Sequence, residues 1–183
     1  MRLLIKFSFT IILLSACSKY SFTPLYPPPP PGYYDNVTLG TVYNGNLIVA
    51  GSFTTLFNSS RYIAQWNGTT WQNLGSGLGS YYGTGGVNTF AVYNNNLIVG
   101  GYFDSAGGQI ANRIALWNGS SWQTLGSGMT TSSRNNNPHV GALAVYNGNL
   151  IAAGNFLYAG GVSASNIASW NGSAWQSLQG GTD

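Results

Sequence analysis

Hydrophobic and polar positions alternate in short runs along most of the chain, and the same runs return three times. In the middle copy, Val87 to Tyr93 reads as a first strand and Leu97 to Phe103 as a second, whose Val99-Gly100-Gly101 centre leaves little room for side chains. Arg113 to Trp117 and Trp122 to Leu125 read as the third and fourth. Each run has strand length, is rich in β-branched and aromatic residues, and is bounded by Asn and Gly. Asn94-Asn95 and Asn118-Gly119 supply the tight turns, because Asn and Gly accept the positive φ that short hairpins demand. Residues 104–112 read as a longer loop.

Two motifs keep step through the copies. Trp-Asn-Gly-x-x-Trp begins at Trp66, Trp117 and Trp170, at spacings of 117 − 66 = 51 and 170 − 117 = 53. Val-Tyr-Asn-x-Asn-Leu-Ile begins at Val42, Val92 and Val145, at spacings of 50 and 53, and all six tryptophans fall in these repeats. The body from Asn36 onward is therefore expected to be all-β, built of three four-stranded antiparallel sheets at about 36–78, 86–129 and 139–180. Four-stranded units at a period of about fifty residues are the pattern of β-propeller blades.

Leu97-Ile98-Val99-Gly100-Gly101 followed by Trp122-Gln123-Thr124-Leu125 resembles the kelch motif of a hydrophobic strand, a glycine pair and a downstream tryptophan. The resemblance, to a kelch-like, galactose-oxidase-type propeller repeat, covers almost all of the chain beyond residue 35. It implies three blades of a partial propeller. The outer copies depart from the motif, with Ala50-Gly51 and Ala153-Gly154 in place of the glycine pair. Propellers close with about four to eight blades, so the resemblance implies further blades outside this segment or a homodimer that completes the ring. Galactose oxidase holds copper with two histidines and two tyrosines, one of them cross-linked to cysteine, whereas this chain has His 1 and Cys 1. Only the fold is carried over, and no cofactor is expected.

Composition changes the picture in two ways. Only 5% of residues are charged, against about a quarter in an ordinary soluble domain, and polarity comes from Asn, Ser, Thr and Gly instead. That disfavours a helical protein, while 14% aromatic residues disfavour disorder. The start of the chain then assigns an address. Arg2 and Lys6, an apolar stretch from Phe7 to Leu14, and Leu14-Ser15-Ala16-Cys17 have the three parts of an export signal. The apolar run falls short of the roughly twenty residues that span a bilayer. The ending resembles the bacterial lipobox, which implies cleavage after residue 16 and lipidation of Cys17, the only cysteine; an ordinary cleaved signal with an incidental cysteine is the alternative. Residues 17–35, with Pro27 to Pro31 unbroken, read as a polyproline stalk. The expected location is the bacterial cell envelope, lipid-anchored at the outer membrane or cell surface. Without residues 1–16 the chain keeps Lys19, Arg61, Arg113 and Arg134 against Asp35, Asp104 and Asp183, so 4 − 3 = +1. These charges are scattered, and nucleic acid is excluded as a partner.

Candidate chemistry sits in the longer loops. Tight turns join strands one to two and three to four at one end of each sheet, and the remaining connections share the other end. There Tyr81, Tyr82, Arg134 and His139 offer stacking rings and polar groups for a glycan or a protein. His139 alone makes no metal site. Asp104 reads as a turn cap, since calcium favours several carboxylates, and Asp35, Asp104 and Asp183 are too dispersed for paired acid and base. Asn67, Asn118 and Asn171 lie in sequons that are also hairpin turns, and the recurring Trp pairs read as core between units. The expectation is a membrane-anchored, non-catalytic binding or scaffold module; the alternative is a fragment of a larger propeller enzyme, of oxidase or hydrolase type, with its catalytic residues elsewhere.

Overall fold

The computed structural model of the protein describes residues 36–53, 62–80, 86–132 and 137–178. The segments expected to be an export signal (1–16) and a stalk (17–35), Cys17 included, lie outside these residues. All regular structure among them is β, and no helix there is long and apolar enough to cross a membrane. The first sheet is formed by β1 (Asn36–Tyr43), β2 (Asn46–Ser52), β3 (Ile63–Trp66) and β4 (Trp71–Asn73), followed by a short β5 (Leu78–Gly79). The second unit contains β6 (Val87–Tyr93), β7 (Asn96–Gly101), β8 (Ser105–Ala106), β9 (Gln109–Ile110), β10 (Ile114–Trp117) and β11 (Trp122–Thr124), then β12 (Met129–Thr130). The third contains β13 (His139–Tyr146), β14 (Asn149–Asn155), β15 (Tyr158–Ala159), β16 (Val162–Ser163), β17 (Ile167–Trp170) and β18 (Trp175–Ser177). In each unit the four principal strands pair antiparallel in chain order.

Register repeats as faithfully as sequence. Leu47, Leu97 and Leu150 pair with Trp66, Trp117 and Trp170, and each of those tryptophans pairs with the one opening the fourth strand. The first turns are left-handed at both residues, Asn44 and Gly45 at φ 49° and 77°, Asn94 and Asn95 at 48° and 60°, Asn147 and Gly148 at 48° and 76°. Such turns match the twist of the flanking strands. The second turns are closed by a side chain: Asn67, Asn118 and Asn171 each accept, through Oδ1, the backbone N–H groups two and three residues ahead at 2.8–3.0 Å. A bulge skips residues 38, 88 and 141, at one place in each first strand.

The expected loop at 104–112 is instead the hairpin of β8 and β9, and β15 and β16 repeat it in the third unit. Its outer edge takes the segment leaving the preceding unit: β5 pairs with β8 and β12 with β15. Gly79 and Thr130, just past the expected sheets at 36–78 and 86–129, thus belong to strands that fasten one unit to the next. Two-residue strands are too short to show an alternating pattern, which is why sequence periodicity passes over them.

The core lies between sheets. β1 packs on β6, and β6 and β7 pack on β13. One cluster joins Tyr43, Ile48 and Leu74 to Leu97, Trp117 and Trp122; another joins Tyr93, Ile98 and Leu125 to Leu150, Trp170 and Trp175. Trp122 Nε1 donates to the Leu74 carbonyl at 2.7 Å and Trp175 Nε1 to that of Leu125 at 2.8 Å, so each indole caps the unit before it. Gly101 and Gly154 allow the closest backbone approach, since a Cβ at either would strike the carbonyl of Gly86 or His139.

Candidate functional site

Because the strands run as meanders, both tight turns of each unit lie at one end, and the hairpin and between-unit connections at the other. At this second end the first strands begin and the second strands finish, so adjacent units bring these residues together along their seams.

At the seam of the second and third units, Tyr102 follows β7 and His139 opens β13. Their rings stack at 4.5 Å between centroids, 25° from parallel, and both side chains are half-buried. His139 Nδ1 lies 3.2 Å from the Asn137 carbonyl, a bond that requires the ring proton on Nδ1. Asn155 Nδ2 donates to the same carbonyl at 3.4 Å. Two bonds hold the seam beneath the rings: the bulged Asn88 donates through Nδ2 to the Val140 carbonyl at 2.9 Å, and Thr89 Oγ1 accepts from the Leu143 N–H at 3.2 Å. Arg113 fixes the turn bearing Tyr102, its Nη1 donating to the carbonyls of Tyr102 and Phe103.

The seam of the first and second units differs in one respect that sequence explains. Register puts Ser52 where the next seam has Tyr102, and Gly86 where it has His139. Those two positions carry no rings to pair. An open depression of 380 Å³ lies at this place, lined by Thr38, Leu39, Gly51, Gly86, Val87 and Asn88.

Of the four residues singled out from sequence, only His139 is described; Tyr81, Tyr82 and Arg134 lie outside the described residues. Tyr81 and Tyr82 nevertheless stand within five residues of Gly86 in the chain, and Arg134 within five of His139. Sequence reasoning missed Tyr102, Asn88 and Asn155. The available signal was the residue after each Gly at the end of a second strand, Ser52, Tyr102 and Asn155, which varies while its neighbours repeat.

Asp104 sits half-buried at the head of the β8–β9 hairpin, where its backbone N–H donates to Gly79 and its carbonyl accepts from Ala111. Among the described residues, no three His, Cys, Asp or Glu side chains converge. What the seam end offers is ring surface, amide groups and hydroxyls at nearly neutral charge. These are groups that stack on and hydrogen-bond to an uncharged polyhydroxylated molecule. No family model, curated protein or solved structure matches this chain.

Proposed function

We propose that this chain is an exported, lipid-anchored protein of the bacterial cell envelope whose three sheets are blades of a kelch-like β-propeller, serving as a non-catalytic binding module with a glycan as its ligand. The observation that carries the binding reading is the Tyr102–His139 stack, half-open at the seam end and flanked by the exposed amides of Asn137 and Asn155. Ring surface beside amides suits the alternating apolar and hydroxyl faces of a sugar, and loops set on rigid sheets are where ligands are usually met. The address rests on Leu14-Ser15-Ala16-Cys17.

A glycan array probed with the detergent-solubilised wild-type chain beside Tyr102→Ala and Tyr81→Ala/Tyr82→Ala tests the ligand. Binding should weaken at least tenfold in Tyr102→Ala while its thermal melt stays cooperative. Undiminished binding in both variants, or no glycan bound by the wild type, contradicts the reading. The anchor is checked by fractionation, where Cys17→Ser should leave the membrane fraction.

A further inference from the structure

Equivalent residues of the three units differ in burial, and the differences are confined to the surfaces by which units meet. Tyr43 and Tyr93 are 3% and 5% exposed, yet Tyr146, at the same place in the third unit, is 66% exposed. Leu74 and Leu125 are 0% and 1% exposed, and their counterpart Leu178 is 37%. By contrast Val42, Val92 and Val145, one residue before each tyrosine, are exposed in all three units. The third unit is therefore not generally more open. Among the described residues, Tyr146 and Leu178 lose cover on the face where a following unit would lie.

What supplies that cover is visible twice within the chain. The turn end of the next unit sits on the surface: Tyr43 Oη donates to the Asn95 carbonyl of the β6–β7 turn at 3.0 Å, while from the tryptophan hairpin Trp117 joins Tyr43 in one cluster and Trp122 caps Leu74. At the second junction, the Tyr93 hydroxyl lies 3.6 Å from where a Cβ on Gly172 would stand, and Trp175 caps Leu125. The opposite end of the molecule carries the matching hairpin. Trp66 and Trp71 keep the tilted ring pairing of the other two, at 5.4 Å, but are only half-buried where Trp117, Trp122, Trp170 and Trp175 are buried.

We infer that the outer face of the third unit, centred on Tyr146 and Leu178, docks the Trp66–Trp71 hairpin of a second copy of this chain. The two surfaces are complementary because they are the halves of an interface the chain already forms between its own units. Tyr146 then meets the Gly45 turn and Trp66 of the other copy, as Tyr43 meets Asn95 and Trp117. The contact is heterologous, joining two different surfaces, so it continues from copy to copy or closes on itself. It follows from the repeat of the sheets and does not depend on which ligand the seam end binds.

The test uses the full chain in detergent, sized by light scattering with the detergent contribution subtracted. More than one copy of the chain per particle is expected. Tyr146→Glu, at an exposed site where the fold has no need of the ring, should return it to one copy with an unchanged melt. A photo-crosslinking benzophenone amino acid at position 146 should join two chains, with the adduct mapping to residues 44–71 of the other. A single-copy wild type, adducts between third units only, or an oligomer indifferent to Tyr146→Glu would each overturn the inference. Cover by further repeats of one longer polypeptide, or by an unrelated partner, gives the single-copy result.

Discussion

The indole of Trp122 performs two tasks that no smaller side chain can combine. Its ring fills the space between the first and second sheets, and its Nε1 satisfies the carbonyl of Leu74, which is buried with the rest of that residue. The Leu74 carbonyl also accepts from the Gly77 N–H at 3.0 Å, so losing the indole N–H removes one of its two bonds, at about 0.5–1.5 kcal/mol, and the lost ring volume adds to this. Trp122→Phe should therefore destabilise the protein by about 1–3 kcal/mol in urea titration. Trp66→Phe, half-buried and outermost, should cost clearly less. Equal costs would mean that the repeat position, rather than the cover of a neighbouring unit, decides what each tryptophan is worth. The carboxamides of Asn67, Asn118 and Asn171 show the same economy in the turns, since each closes its own hairpin through two backbone N–H groups. Their sequon context is accounted for by turn chemistry.

At the scale of elements, backbones meet most closely where a second strand ends beneath the first residues of the first strand. A Cβ at Gly154 would strike the His139 carbonyl and crowd Gly141 N and Val140 Cα, all of them backbone atoms that cannot rotate away. At Gly141 the nearest atom to an added Cβ is 3.8 Å away, an ordinary contact. Gly154→Ala is thus expected to cost about 2–3 kcal/mol and Gly141→Ala under about 1, measured by thermal unfolding of the two variants. The sequence revealed the long elements well, because alternation, Asn-rich turns and paired tryptophans each mark a strand or its end. It concealed two features. The β5–β8–β9 and β12–β15–β16 clasps are made of two-residue strands, and their pairing is fixed by the neighbouring unit rather than by local pattern. Phe53, Phe103 and Phe156, fully buried, are held by a backbone bond from Tyr62, Arg113 and Asn166, residues at φ 66°, 68° and 74°. Positive φ at tyrosine and arginine is uncommon enough that residue type gave no hint of it.

For the whole molecule, the candidate site was half legible. His139 was picked out as a lone histidine in a polar loop, but its partner Tyr102 comes from another unit, and sequence does not say which loops meet across a seam. Composition predicts the behaviour of the assembled body more directly. Among the described residues only Asp104 and Arg113 carry side-chain charge, and Arg113 Nη1 donates to the neutral carbonyls of Tyr102 and Phe103. Stability then comes from apolar burial between sheets and from hydrogen bonds among neutral groups. Salt screens exposed charge pairs over a Debye length of about 10 Å at 0.1 M and about 3 Å at 1 M, but it has little here to screen. The melting temperature should move by less than about 3 °C between low salt and about 0.5 M sodium chloride, a range that would expose any dependence on surface ion pairs. A fall of about 8 °C or more would mean that charges outside the described residues help hold the sheets together. A comparable rise would mean that repulsion between like charges opposes the fold, which a formal net charge of +3 over 183 residues gives no reason to expect.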